Sequence, residues 1–212
     1  MAARIDYEIE KYQFTQVDES PRLTQQWAEV LEECRQEKAG SEARLRLALL
    51  NVDYVTSFEL PFRLQLIRAP QLIDRLRGEL QLSRKPVTIS DNRYGCVYSL
   101  KADLSHVPET FRYRFSNRIR RVESGNVTTA SYQNIAKQVK APRERLRLAM
   151  EAGLPVTALD GLFWFGMQRI AADVSTLRKS GMKISTDEVD AFDTLTGTLR
   201  RVPVYQWVRQ ER

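Results

Sequence analysis

Between residues 142 and 208 the spacing of apolar side chains switches once, from helical to strand-like, and that order narrows the folds open to this chain. Pro142 starts a first helical run in which Leu146 and Met150, with Leu148 or Ala149, form a stripe that Gly153 stops. Leu154-Pro155-Val156 then breaks the chain. Thr157 can cap a second run with Leu159, Leu162 and Phe163 inward, and Gly166 stands where a tight turn must admit a left-handed residue. A third run, 167–180, sets Ile170, Val174 and Leu177 at i, i+4 and i+7 before Gly181 ends it. Met182 to Thr186 leads through Val189 and Phe192 to the turn-prone stretch 194–197, and Leu199 to Val208 returns as a strand.

Three short helices followed by a hairpin is the order of a winged helix-turn-helix, whose third helix is narrow enough to enter the major groove. Residues 169–184, Arg-Ile-Ala-Ala-Asp-Val-Ser-Thr-Leu-Arg-Lys-Ser-Gly-Met-Lys-Ile, resemble the recognition helix and wing start of a winged helix-turn-helix DNA-binding family common in phage and prophage genes. The family's apolar positions fall on Ile170, Val174 and Leu177, and its Leu-Arg-Lys-x-Gly ending falls on Leu177 to Gly181. The resemblance is confined to the C-terminal third of the chain. It implies double-stranded DNA as the partner. Gln168 and Arg169 are then the base-reading candidates, Ser175, Arg178 and Lys179 the phosphate anchors, and Thr176 shares their face. Asp173 departs from the arginine the family usually carries there. Asp187, Glu188, Asp190 and Asp193 also make the first wing strand acidic, with Arg200 and Arg201 answering on the second.

Charge points to a second place. The chain carries 33 Lys and Arg against 27 Asp and Glu, a net charge of +6. Residues 1–100 hold 14 basic and 15 acidic side chains, 101–142 hold 8 and 3, and 143–212 hold 11 and 9. The excess therefore sits in the middle, where residues 111–121 contain Arg112, Arg114, Arg118, Arg120 and Arg121 and no acid. Strict alternation puts Phe111, Tyr113 and Phe115 on one strand face and Arg112 and Arg114 on the other. The aromatics read as core; a stacking platform for unpaired bases is the alternative. The arginines read either as a phosphate-gripping strip or as a solvated face.

The first 122 residues read as a mixed α+β domain that dimerises or binds a partner. Ser20-Pro21 opens a helix over 20–38 with Leu23, Trp27, Val30, Leu31 and Cys34 on one side. A second helix follows Ser41, and Pro70 opens a third carrying Leu72, Ile73, Leu76 and Leu80. Residues 51–68 are rich in β-formers and predict one or two strands. Val87, Ile89, Val97 and Leu100 flank a turn at 91–95 and predict a hairpin. Residues 123–130 read as a linker, placing the DNA-binding domain at 123–212. In a competing frame, 129–139 is the middle helix of a helix-turn-helix and Arg143, Arg145 and Arg147 lie on its reader; only the later frame supplies a wing.

The aromatic stretch Leu162-Phe163-Trp164-Phe165 is too apolar for a three-helix unit to hide, so Trp164 or Phe165 is expected against the N-terminal domain or a second subunit. A homodimer would match the symmetry of many operators. Cys34, Cys96 and the single His106 make no paired-ligand spacing, so no metal and no cofactor are expected. Without a phosphate-binding glycine loop or a serine–histidine arrangement, the sequence reads as a non-enzyme. No apolar run approaches a membrane span, and a cytoplasmic protein of a bacterial host is expected. The function expected is a DNA-binding transcriptional regulator of a phage or mobile element. The alternatives are a replication or excision accessory protein, or a protein-interaction module such as an inhibitor or loader.

Overall fold

The computed structural model of the chain describes residues 4–89 and 93–208. It divides into two compact units that cross-cut the sequence. One comprises 1–10, 119–194 and 198–212; the other comprises 11–118 with 195–197. The boundary expected near 122 falls at Ile119, and the first ten residues go with the C-terminal unit.

The unit centred on 11–118 is helical on one side. Helix α1 (Pro21–Gln36) starts on Ser20, whose Oγ accepts from Leu23 N at 3.2 Å with Pro21 in the first turn. Its buried stripe, Leu23, Trp27, Val30 and Cys34, meets Leu45, Ala48 and Leu49 of α2 (Ser41–Asn51). Leu72, Ile73 and Leu76 of α4 (Ala69–Leu80) complete the layer, each such side chain contributing roughly 1.5–3 kcal/mol on burial. Four strands pair in the order β2 (Val55–Thr56), β4 (Arg93–Ser99), β3 (Ser83–Ile89), β5 (Thr110–Phe111). The hairpin expected from Pro86 onward is β3–β4, with Val87 opposite Gly95; of the turn expected at 91–95, residues 93–95 belong to β4, and 91 and 92 lie outside the described residues.

Residues 51–68 differ from the sequence expectation. Only Val55 and Thr56 pair as a strand, and α3 (Leu60–Arg63) follows. Val52, Val55, Leu60, Leu64 and Leu66 are all buried at spacings that match neither a strand nor a helix. Pro61 has no N–H to offer a ladder and sits in the first turn of α3.

In the other unit, the N-terminal part of β1 (Ile5–Gln16) lies beside the end of β6 (Tyr113–Glu123), with β7 (Asn126–Val127) on the far side of β6. The stretch expected to be a linker is a tight hairpin. Ser124 and Gly125 both take positive φ, 49° and 83°, between the paired residues Glu123 and Asn126. Helices α5 (Thr129–Gln138) and α6 (Pro142–Glu151) follow, then β8 (Val156–Thr157). Strands β9 (Ile184–Asp193) and β10 (Thr198–Trp207) form a ten-residue antiparallel pair, and β8 adds to β10.

This unit is not a three-helix winged helix, so that part of the expected fold class is overturned while the mixed α+β character stands. The second helix of the triplet reduces to α7 (Ala158–Asp160), three residues long, running into a single π-helical turn, 161–165. The apolar stretch Leu162–Phe165 is wrapped as that wide turn and ended by Gly166 at φ 72°, which leaves strands to dominate the C-terminal region. The hairpin tip is no free wing either: Leu195 is buried in the helical core of the 11–118 unit, where Arg44 Nη2 donates to Thr196 Oγ1 at 3.3 Å.

Candidate nucleic-acid interface

The third helical run is present as α8 (Ile170–Lys179). Ile170, Val174 and Leu177 are buried as the periodicity predicts. The opposite side presents Ala171, Ala172, Ser175, Thr176, Arg178 and Lys179 to solvent, with Arg169 exposed just before the helix and Gln168 half-buried. Arg178 and Lys179 lie in the last turn, where positive charge complements the helix dipole. The residues between the long side chains are small, so a rod-shaped ligand could approach the backbone closely.

Asp173, the acidic departure on this helix, is held by Arg143 of α6, Nε to Oδ1 at 2.8 Å. Its charge is matched within the unit. Arg178 is also engaged: its Nη2 donates to Ile184 O at 2.8 Å and to Thr186 Oγ1 at 2.6 Å. It braces the start of β9 and is less available as a phosphate anchor than the sequence suggested. Arg169, Lys179 and the exposed Lys183 have no ion-pair partner among the described residues.

The arginine strip resolves into three environments. Arg121 is fully buried and has left the candidate interface. Its Nε donates to Asp160 Oδ1 at 2.9 Å, its Nη1 to Glu123 and to Thr128 Oγ1, and its Nη2 to Pro155 O, while the guanidinium lies 4.2 Å from the Tyr132 ring centroid. Arg120 pairs with Glu8 at 3.3 Å, and Arg112 pairs with Asp18 at 3.1 Å, all at the surface. Arg114 and Arg118 are exposed with no ion pair among the described residues. Of the aromatics, Phe111 is buried and stacks on Tyr113, which is half-buried, but Phe115 is 42% exposed, so the run does not face the core throughout.

The arginines of β10 are matched to the acids of β9. Arg201 lies 3.4 Å from Glu188 and 3.9 Å from Asp190, its cross-strand partner, and Arg200 lies 3.5 Å from the buried Asp193. Neither offers a spare cation to phosphate.

Two buried polar clusters were not anticipated. Around Arg121, the Asp160 carboxylate also accepts from Thr157 N at 2.9 Å and from Tyr7 Oη at 2.9 Å, and the Tyr7 hydroxyl touches Thr157 Oγ1 at 2.5 Å. Burial pushes the Tyr7 hydroxyl well above its usual range, so it stays protonated and keeps donating. Thr157-x-x-Asp160 is a reciprocal capping box, a pattern visible in the sequence. Phe163 and Trp164 pack on Tyr7, and Trp164 and Phe165 on Tyr132, so the aromatic stretch finds its cover inside its own unit. In the other unit, Arg63 bridges the buried carboxylates of Glu59, at 2.9 Å, and Glu19. The Arg121–Asp160 and Arg63–Glu59 pairs at the centres of these clusters are buried and hold structure together.

Among the described residues no group of His, Cys, Asp and Glu could hold a metal ion, and no helix is long and apolar enough to cross a membrane. Comparison with protein-family models, with curated proteins and with solved structures finds no match to this chain.

Proposed function

We propose that this chain binds duplex DNA and reads it with the exposed face of α8. The observation that supports this most directly is the neutralisation of Asp173 by Arg143, which leaves Arg169, Lys179 and Lys183, and Arg178 with only neutral hydrogen-bond partners, as positive charges without an acidic partner among the described residues. Small residues at 171, 172 and 175 suit close approach to base edges, with Gln168 and Arg169 reading and Ser175, Thr176 and Lys179 positioning. A regulatory role in a phage or mobile element, in the cytoplasm of a bacterial host, rests on the sequence resemblance of residues 169–184 alone.

Binding to a random duplex pool across a salt series tests the reading. Affinity should fall by roughly 0.9 log unit per log salt for each phosphate contacted. Arg169→Ala with Lys179→Ala should erase preference for the fragments the wild type selects. Retention of no duplex at low salt overturns it.

One observation favours a protein-interaction module instead. Phe192 and Leu199 face each other across β9 and β10 and are 39% and 54% exposed. Loss of a captured protein partner in Phe192→Ser, together with no DNA binding, would select that reading.

A further inference from the structure

The middle of β6 carries a run of exposed side chains between buried ones. Arg114, Phe115, Ser116 and Arg118 are all exposed, whereas Phe111 before them and Ile119 after them are buried. Within the 11–118 unit, the two-residue period puts Arg112, Arg114, Ser116 and Arg118 on one side of the chain. At about 3.3 Å per residue the three arginines span ~20 Å. No acid occurs between Thr110 and Val122.

The other side of the segment is fixed. Phe115 packs on Phe62 at 5.1 Å between centroids, Phe62 on Phe58, and Phe58 on Tyr113, whose hydroxyl meets Thr56 Oγ1 at 2.6 Å. The arginines therefore stand at set spacings on an anchored strand, with the small Ser116 between them. Arg112 is held by Asp18 in a pair with both side chains well exposed, and such surface pairs contribute little, so phosphate can replace the carboxylate at little cost. A row of one sign, spaced along an extended chain and lacking carboxylates of its own, is complementary to a polyanion of regular charge.

We infer that the row Arg112, Arg114 and Arg118 is a second contact surface for duplex DNA, gripping its phosphate backbone without reading sequence. The inference rests on the DNA-binding reading and adds to α8 a surface of a different kind. Backbone contacts hold every duplex equally; base contacts discriminate.

The test compares three forms of the full chain on a selected duplex and on a scrambled duplex over a salt series: wild type, Arg114→Ala/Arg118→Ala, and Arg169→Ala/Lys179→Ala. Both arginines of the first pair are exposed, and a thermal melt checks that the fold is kept. The row predicts that Arg114→Ala/Arg118→Ala weakens binding to both duplexes by the same factor, about tenfold or more. It also predicts that the slope against log salt drops by roughly 1.8, two contacts at about 0.9 each. Arg114→Lys/Arg118→Lys should restore the slope. Unchanged affinity and slope in the alanine pair overturn the row and leave α8 untouched. Full sequence preference in Arg169→Ala/Lys179→Ala overturns the α8 reading and leaves the row. A wild type that retains neither duplex overturns both.

Discussion

Arg121 Nε lies 2.9 Å from Asp160 Oδ1 with both side chains wholly out of solvent. The pair ties the end of β6 to the capping box that starts α7, and Tyr7 joins it from β1. Two buried charges survive here because each has further partners: three carbonyl or side-chain oxygens besides Asp160 around the guanidinium, and two further donors on the carboxylate. Asp160→Ala would leave the guanidinium buried beside an empty site. It should cost about 3–5 kcal/mol, read as a lower midpoint in denaturant unfolding. Arg121→Ala combined with it should cost clearly less than the two single losses added, because they break one network.

Glu59 gives unit 11–118 a pH dependence. Burial pushes its carboxyl up to about 7, against the pull of Arg63 and the Thr56 N–H. In the unfolded chain it titrates near 4.5, so between about pH 4.5 and 7 the folded state holds a proton that the unfolded state has released. Stability from this group is therefore greatest below that window, falls as pH rises through it, and levels off above 7. Glu59→Gln should flatten the slope of unfolding free energy between pH 5 and 7. An unchanged slope would show that another group sets it.

The Arg143–Asp173 pair should matter far more to binding than to folding. Asp173 is only partly exposed and Arg143 largely so, so either alanine variant should change stability by at most about 1 kcal/mol. Arg143→Ala leaves a bare carboxylate on α8 and should weaken duplex binding several-fold at low salt. Asp173→Ala removes that carboxylate and should strengthen it. Opposite signs from the two partners of one ion pair are the diagnostic result; equal effects would show that α8 does not face DNA.

Leu195 distinguishes a buried hairpin tip from a DNA-contacting wing. It is 7% exposed and packed in the α1–α2–α4 core. Leu195→Ala should cost about 2–5 kcal/mol by thermal or denaturant unfolding. A solvent-facing tip would show less than about 0.5 kcal/mol.

Where local signals were strong, residue order alone was enough. The Ser20 cap of α1, the starts of α1 and α6 at Pro21 and Pro142, and the buried stripes of α1, α4, α6 and α8 stand where local residue order and the 3.6-residue spacing put them, because a helix satisfies its backbone within its own segment. The β3–β4 and β9–β10 hairpins were readable from alternation on either side of turn residues. Exposure of Arg169 and Lys179 followed from their place opposite Ile170, Val174 and Leu177.

Long-range partners were not readable in this way. Strand β1 was not read from the sequence at all, and nothing local says that it lies beside β6, more than a hundred residues away. Arg121 looked the same as Arg114 and Arg118 in the sequence. Only the fold set Asp160 and Tyr132 beside it and removed it from the surface, while it left the other two in water. Asp173 looked like a flaw until α6 brought Arg143 against it. A side chain's type and spacing fix what it can bond to. Its partner, and so whether its charge is spent or available, depends on which distant segment packs beside it, and that is decided by the tertiary structure.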